Sequence, residues 1–227
     1  MKKVLKEIKE TMKVLPSWII VIYCISIVIM NLFANKSINL PYEWLALDCG
    51  IIVAWVIFLI MDIVVKKYGA KKSIILSCIA ISFSFSVSIL FFICGAIPGL
   101  WGESYTFIDN QSIINTALDN TMRGNWFIIL GSALAFFVST IVNAVCNVFI
   151  GKKTKDNFGG FAIRSYFSTL IGQITDNFVF ALVVSHTLFG WTLIQCITCS
   201  LTGAVVEALC ELVFIPIGYK IVKQKRK

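Results

Sequence analysis

Five carboxylates lie inside otherwise apolar stretches of this sequence: Asp48, Asp62, Asp176, Glu207 and Glu211. An ionised side chain at the centre of a lipid bilayer costs roughly 2.5 kcal/mol or more. Carboxylates in such surroundings are candidates for binding a polar molecule or an ion, and the alternative is hydrogen bonding between neighbouring helices. Their positions therefore indicate where a polar site could be built.

The segment RSYFSTLIGQITDNFVF, residues 164–180, predicts a polar stripe around Asp176. At 100° per residue, small or polar residues fall within about 80° of Asp176, namely Ser165, Ser168, Thr169, Gly172 and Gln173. Asp176 would lie about 18 Å along the helix axis from Arg164. With Arg164 as an anchor at the cytoplasmic edge, that depth places Asp176 near or just beyond the membrane midplane. We therefore predict that Asp176, with Gln173, Thr169 and Ser168, contacts a substrate.

A second pattern links Asp48, Trp55 and Asp62, which are separated by seven residues and would share one helical face. Trp55 could be an aromatic platform beside a polar path. Alternatively, Trp55 faces lipid and both acids lie in interfacial water. Asp62 is also placed to form an ordinary i,i+4 ion pair with Lys66.

Two further apolar segments carry polar groups at helical spacing. Asn143 and Asn147 are four residues apart, so their amides could contact a ligand or join helices. Glu207 is the deeper acid of the last segment, whereas Glu211 is closer to the cytoplasmic headgroups. Pro216 follows near the inner end of this segment. We include Asn143 and Glu207 in the predicted substrate site.

The elements that must position these residues are predicted to be membrane helices. The chain has 227 residues, 58% of them hydrophobic and 14% charged, with a mean hydropathy of +0.87. This composition is typical of an integral membrane protein. Windows of about 20 apolar residues, long enough to cross a bilayer, predict six helices in one domain spanning residues 1–227, at residues 18–34, 44–64, 73–93, 126–150, 165–185 and 191–215.

The longest connection, residues 94–125, predicts an outer interfacial helix or a lid. Ile113, Ile114, Ala117 and Leu118 share a helical face within it.

The basic residues predict the orientation of the chain. All of the 20 Lys and Arg residues except Lys36 and Arg123 fall in alternate connections and both tails. By the positive-inside rule both termini lie in the cytoplasm. The net charge of +8 is therefore a topology signal, and we expect a multi-pass protein of the inner, cytoplasmic membrane whose partners are the lipid bilayer and a small molecule, with no nucleic acid.

Motifs for enzymes, metals and cofactors are missing from the sequence. There is no HExxH, GxSxG or P-loop pattern, and His186 is the only histidine. The eight cysteines are expected to pack as small apolar residues. Cys196 and Cys199 form one CxxC without a second pair. We therefore predict no metal, no cofactor and no enzymatic activity.

Four segments resemble the vitamin uptake transporter family, whose better-known members are the queuosine precursor transporters. MDIVVKKYG, residues 61–69, is similar to a family pattern of Asp, then Glu four residues later, then Tyr-Gly. Residues 164–180 are similar to Arg, Ser-Thr, Gln, Asp and Phe in that order. ALAFFVSTIVN, residues 133–143, and PIGY, residues 216–219, resemble its fourth helix and its closing Pro-x-x-Tyr.

The resemblance implies import of a small planar nitrogenous metabolite, most specifically a 7-deazaguanine-type queuosine precursor or a related base. Carried over by position, it implicates Asp62, Ser168, Thr169, Gln173 and Asp176, with Arg164, Tyr68, Gly69 and Pro216 in structural or topological roles. Two positions depart from the pattern. Lys66 stands where the family usually has Glu, and Asn143 stands where it often has Asp. The loss of two acids favours a neutral base over a cationic one.

The family is also similar to the six-helix substrate-binding subunits of energy-coupling factor transporters. Those subunits often dock on a partner through small residues spaced by four on the first helix, and WIIVIYCISIVIMNLFA, residues 18–34, has no such series. We therefore favour a carrier that works without an energy-coupling module. A substrate-binding subunit, a non-transport membrane scaffold and an enzyme stay as alternatives, and a homodimer is left open.

Overall fold

The computed structural model describes residues 2–102, 111–153 and 158–223. The chain is 83% helical and has no strand in these ranges, so the prediction of an all-α fold is confirmed. The helices are α1 Lys2–Val14, α2 Ser17–Phe33, α3 Ile51–Tyr68, α4 Ala70–Ala96, α5 Gln111–Gly151, α6 Phe158–Phe180, α7 His186–Phe189 and α8 Leu193–Lys223. A π-helical segment, Ala181–Ser185, joins α6 to α7.

Each of the six predicted windows coincides with a helical region, but not all of these regions qualify as a membrane span by length and composition. Among the described residues, three do: Ala70–Ala96, Ser112–Asn143 and Leu193–Cys210. A fourth is added if Val4–Val14 and Ser17–Phe33, bent by 111°, count as one span. The apolar part of α3, Ile51–Val65, is shorter than a typical span. Six crossings therefore stay a prediction.

The predicted window at residues 44–64 begins too early. Helix α3 starts at Ile51, because residues 36–49 fold back as a tight loop around Pro41, in which the amide of Ile38 donates to Leu47 (2.8 Å) and that of Cys49 to Lys36 (2.8 Å). Asp48 therefore lies in this loop and does not continue the helical face of Trp55.

The outer connection also differs from the expectation. Residues 111–125 are the first turns of the 41-residue α5 instead of a separate interfacial helix. The Trp101 indole donates to Asp119 at 2.9 Å and its backbone N–H donates to Asn115 at 2.8 Å. These bonds hold Trp101 against α5. Residues 103–110, part of the predicted lid, lie outside the described residues.

The core forms where α2, α3 and α4 pack together. Ile19, Tyr23, Ile57, Val64 and Leu76 belong to one buried apolar cluster. This burial excludes lipid and water from the centre of the three helices and fixes their relative positions.

Helices α5, α6 and α8 approach closely at glycines. A Cβ on Gly172 of α6 would lie 3.2 Å from the Cβ of Asn143, and a Cβ on Gly203 of α8 would lie 2.8 Å from the amide nitrogen of Asn177. Small residues at such contacts let helix backbones approach each other. The close approach brings polar side chains of α6 and α8 together.

Candidate functional site

A cavity opens between α2, α3, α5, α6, α8 and the loop before α3. The space between its lining atoms amounts to about 490 Å³, a volume that includes open solvent at the mouth of the cavity. The polar side chains that line it are Asn31, Asp48, Ser132, Asp176, Asn177 and Glu207. Apolar residues and glycines complete the wall: Met30, Ala34, Leu47, Gly50, Ile51, Ala54, Phe180, Cys199 and Gly203. A mostly apolar pocket with a few polar groups is the usual form of a small-molecule site.

Asp176 of α6 lines the cavity and is held by a hydroxyl from α5. The Oγ of Ser139 lies 2.8 Å from a carboxylate oxygen of Asp176 and 3.0 Å from the carbonyl of Phe136. The hydroxyl has one proton, and donation to a carboxylate is the stronger of the two bonds. No further hydrogen-bond partner of Asp176 occurs among the described residues, so its carboxylate keeps acceptor capacity toward the cavity.

Glu207 of α8 lies opposite α6 and is fully buried. The amide nitrogen of Asn177 lies 3.4 and 3.5 Å from its two carboxylate oxygens. These distances are long for N–H donors, so the hydrogen bonds are weak. Asn177 is held there by the close approach of Gly203. Asn177 and Glu207 both line the cavity, so the placement of this pair decides which polar atoms a ligand meets there.

Asp48 and Asn31 line another part of the wall. One Asp48 oxygen accepts the backbone N–H of Gly50 at 2.8 Å. Burial raises the pKa of Asp48 to about 6, and the Gly50 hydrogen bond partly opposes this shift. The Asn31 amide donates to Ser84 at 3.3 Å, while its carbonyl oxygen is buried and accepts no hydrogen bond within the described ranges. Both residues therefore offer acceptors.

The cavity is rich in hydrogen-bond acceptors and negatively charged when its acids ionise. Three carboxylates line it, and no Lys or Arg does among the described residues. No group of three or more His, Cys, Asp or Glu in the described part of the chain is arranged to hold a metal ion. This arrangement suits an organic ligand that carries several N–H donors or a positive charge.

Two predicted site residues, Asp176 and Glu207, are brought together at the cavity. Gln173 is buried on α6 and Thr169 is half-buried, but neither lines the cavity. Asn143 contacts Gly172 at the interface of α5 and α6. These assignments as substrate ligands stay predictions.

Trp55 lies away from the cavity wall, and its indole donates to the carbonyl of Ile52 at 2.9 Å. The side chains of Asp62 and Ser168 fall outside the described part of the structure, as do those of Arg164 and Pro216. The proposed stacking role of Trp55 and the role of Asp62 as a ligand stay predictions.

Tyr68 and Gly69 lie where α3 ends and α4 begins. Gly69 has a φ of 92°, a conformation that other residues rarely adopt, and its N–H donates to Val65 at 3.0 Å. A glycine is therefore required at the turn between the two helices.

Four polar cavity residues lie outside the predicted site: Asn31, Asp48, Ser132 and Asn177. Asp48 is an acid in an apolar stretch, but its spacing predicts a place on a helix that it does not occupy. Asn177 lies about 100° from Asp176 around α6, just outside the stripe centred on that residue. Asn31 is an isolated amide within a strongly apolar segment, and this contrast is the signal that could have found it.

Comparison with known families matches residues 48–221 to the family described as "Putative vitamin uptake transporter". The match includes α3 to α7 and nearly all of α8. It therefore covers every cavity residue except the four that precede residue 48, which are Met30, Asn31, Ala34 and Leu47. No curated protein matches the chain, and no solved structure does. With its apolar helices, the chain is a multi-pass membrane protein. Because the match covers more than half of the sequence, the chain belongs to the vitamin uptake transporter family.

Proposed function

We propose that this chain imports a small planar nitrogenous base across the cytoplasmic membrane and binds it in the cavity lined by Asp48, Asp176 and Glu207. The observation that carries the proposal is the presence of three carboxylates in one cavity of a chain from an uptake transporter family. Buried acids in a membrane protein need a compensating interaction. A ligand with N–H donors would add to the hydrogen bonds that Asp48 and Asp176 already accept.

The substrate class follows from the chemistry of these acceptors. The guanine-type edge of a 7-deazaguanine has two adjacent N–H donors, and these match the two oxygens of one carboxylate. Asp176 has free acceptor capacity, and the carbonyl of Asn31 accepts no hydrogen bond among the described residues. A queuosine precursor of the 7-deazaguanine type is therefore the substrate that we propose.

The charge of the cavity bears on which precursor is preferred. The expectation of a neutral base rests on Lys66 and Asn143, but Asn143 does not line the cavity, and the side chain of Lys66 is not among those described. The acids that do line the cavity favour a ligand with a positive charge, such as the aminomethyl form. We therefore propose the cationic precursor as the preferred substrate.

Uptake of labelled 7-aminomethyl-7-deazaguanine into proteoliposomes that contain the purified chain tests the proposal. Asp176→Asn removes a charged acceptor, and a hydrogen bond to a charged group contributes about 1.5–3 kcal/mol, so we expect uptake at low substrate concentration to fall by about tenfold or more. Asp119→Asn is the matched control, because Asp119 lies outside the cavity and accepts a hydrogen bond from Trp101.

Unchanged uptake by Asp176→Asn would contradict the assignment of this cavity as the substrate site. Binding without uptake by the parent chain would indicate a subunit that requires a partner. Recovery of chemically altered substrate would indicate an enzyme.

A further inference from the structure

Helix α1, Lys2–Val14, lies outside the six predicted windows, and one of its faces is fixed to the rest of the protein. Thr11 and Leu15, just beyond the helix end, are almost fully buried, with 2% and 3% of their surface exposed. Glu7 accepts a hydrogen bond from the ammonium of Lys71 in α4 at 2.7 Å. These contacts hold α1 against the start of α4 in a defined orientation.

The opposite flank of α1 is apolar and exposed. Leu5 and Met12 are 58% and 50% exposed, and they lie within about 20° of each other around the helix. The exposed lysines Lys9, Lys13 and Lys6 follow over roughly the next 100°. An apolar strip beside a row of lysines is typical of helices that lie in a membrane interface.

The direction of α1 fits such a location. Its axis turns by 111° relative to α2, so if α2 crosses the bilayer, α1 runs nearly parallel to the membrane surface. Trp18, in the first turn of α2, is 47% exposed, and tryptophan is enriched where membrane proteins cross the headgroup region. The positive-inside rule places this end of the molecule at the cytoplasmic leaflet, where anionic lipids attract lysines.

We propose that α1 is a lipid-binding element that lies in the cytoplasmic surface of the membrane and binds anionic phospholipid headgroups. Lys6, Lys9 and Lys13 contact the headgroups, and Leu5 and Met12 enter the boundary of the acyl chains. Charge complementarity selects anionic lipid as the occupant. Glu7 pairs with Lys71, and Glu10 forms only an exposed, weak pair with Lys6 at 4.0 Å. The exposed side of the helix therefore presents three lysines and one acid. The site is independent of the substrate cavity.

Hydrogen–deuterium exchange of the full chain in nanodiscs tests this site. We expect the amides of residues 4–14 to exchange at least tenfold more slowly in nanodiscs with one third phosphatidylglycerol than in pure phosphatidylcholine, since each lysine near an anionic surface adds to binding. Salt at about 0.5 M should remove most of the difference, because it screens the charges.

Matched variants separate this site from a general charge effect. Lys6→Gln/Lys9→Gln/Lys13→Gln should abolish the lipid dependence, and the exposed positions of these side chains make misfolding of the variant unexpected. Lys152→Gln/Lys153→Gln, exposed at the end of α5, should leave it unchanged. Equal exchange in both lipids would overturn the proposal. Protection that depends on an added protein and not on lipid charge would also overturn it and would identify α1 as a protein-docking helix.

Discussion

Replacement of Gly203 by alanine is expected to weaken ligand binding without a comparable loss of stability. The new Cβ would lie 2.8 Å from the amide nitrogen of Asn177 and 3.4 Å from its Cγ. An ordinary contact of about 3.5 Å requires the nitrogen to retreat by about 0.7 Å. Glu207 is on the same helix one turn after Gly203, so this retreat also moves Asn177 away from Glu207. The distances from the Asn177 amide nitrogen to the two Glu207 oxygens are already 3.4 and 3.5 Å, and they then exceed hydrogen-bonding range.

The effect on stability is small because two changes oppose each other. Loss of a weak hydrogen bond to a buried carboxylate costs about 1 kcal/mol, while alanine in place of glycine inside a helix contributes about 0.5–1 kcal/mol. The atom that must move is the end of a flexible side chain, not backbone. We expect the free energy of unfolding to stay within about 1 kcal/mol of the parent, while the Kd for the deazaguanine ligand rises by about 5–30-fold, equivalent to about 1–2 kcal/mol.

Two other glycines are matched controls. A Cβ on Gly124 in α5 would meet no neighbour within 4 Å, so Gly124→Ala should leave binding unchanged and raise stability by about 0.5–1 kcal/mol. A Cβ on Gly95 would lie 2.8 Å from the backbone oxygen of Asp119, which cannot rotate away. Gly95→Ala should therefore lower stability by about 1–3 kcal/mol and leave the ligand affinity unchanged.

The assays are thermal unfolding in detergent and equilibrium binding of the labelled ligand, measured on the same preparations. If Gly203→Ala binds within twofold of the parent, the pair formed by Asn177 and Glu207 is not part of the ligand site. If its affinity and stability fall in parallel, the substitution acts through the fold, and the predicted separation of ligand binding from stability is wrong.

Two further predictions concern the edge of the cavity and the core. Burial raises the pKa of Asp48 to about 6, so its carboxyl takes up a proton as the pH falls through this value. The affinity for a cationic ligand should therefore fall between about pH 7.5 and 5. A pH profile for Asp48→Asn that is as steep as the parent's would refute the role of this group. Tyr23 and Ser77 share a buried hydrogen bond of 2.8 Å between α2 and α4. Tyr23→Phe and Ser77→Ala should therefore each lower the free energy of unfolding by about 1–2 kcal/mol. In thermal unfolding, the double variant should lose less stability than the sum of the two single losses, and a loss equal to that sum would show that the two groups do not interact.

The helices could be predicted from the sequence because hydrophobicity over about 20 residues is a local property. Their ends are harder to place. Helix α3 begins at Ile51 because the backbone hydrogen bonds of residues 36–49 close a loop in front of it, and an apolar composition carries no information about that pairing. Helix α1 escapes a search for apolar windows because its lysines interrupt the apolar sequence. The same lysines also serve as a topology signal, although they alternate with apolar residues at helical spacing.

The lining of the candidate cavity could be predicted only where the polar residues of one helix are sufficient to identify it. Asp176 and Glu207 stand out within their own segments, and both line the cavity. Asn31 and Asp48 join them because α2 and the loop before α3 lie beside α8 and α6 at the cavity, and these are contacts between distant parts of the chain. The angular position of a residue on one helix cannot predict contacts with another helix. It also leaves Asn177 out of the polar stripe around Asp176, although Asn177 reaches the cavity beside Gly203.

The charge of the substrate is therefore better judged from the cavity wall than from a count of acids along the sequence. Lys66 and Asn143 replace two acids of the family pattern, and taken alone they favour a neutral ligand. Asn143, however, packs on Gly172 of α6, whereas Asp48, Asp176 and Glu207 line the cavity. In the proposed site, a cation gains more from ionised carboxylates than a neutral base of the same shape, because its charge adds Coulombic attraction to the hydrogen bonds that both ligands can donate.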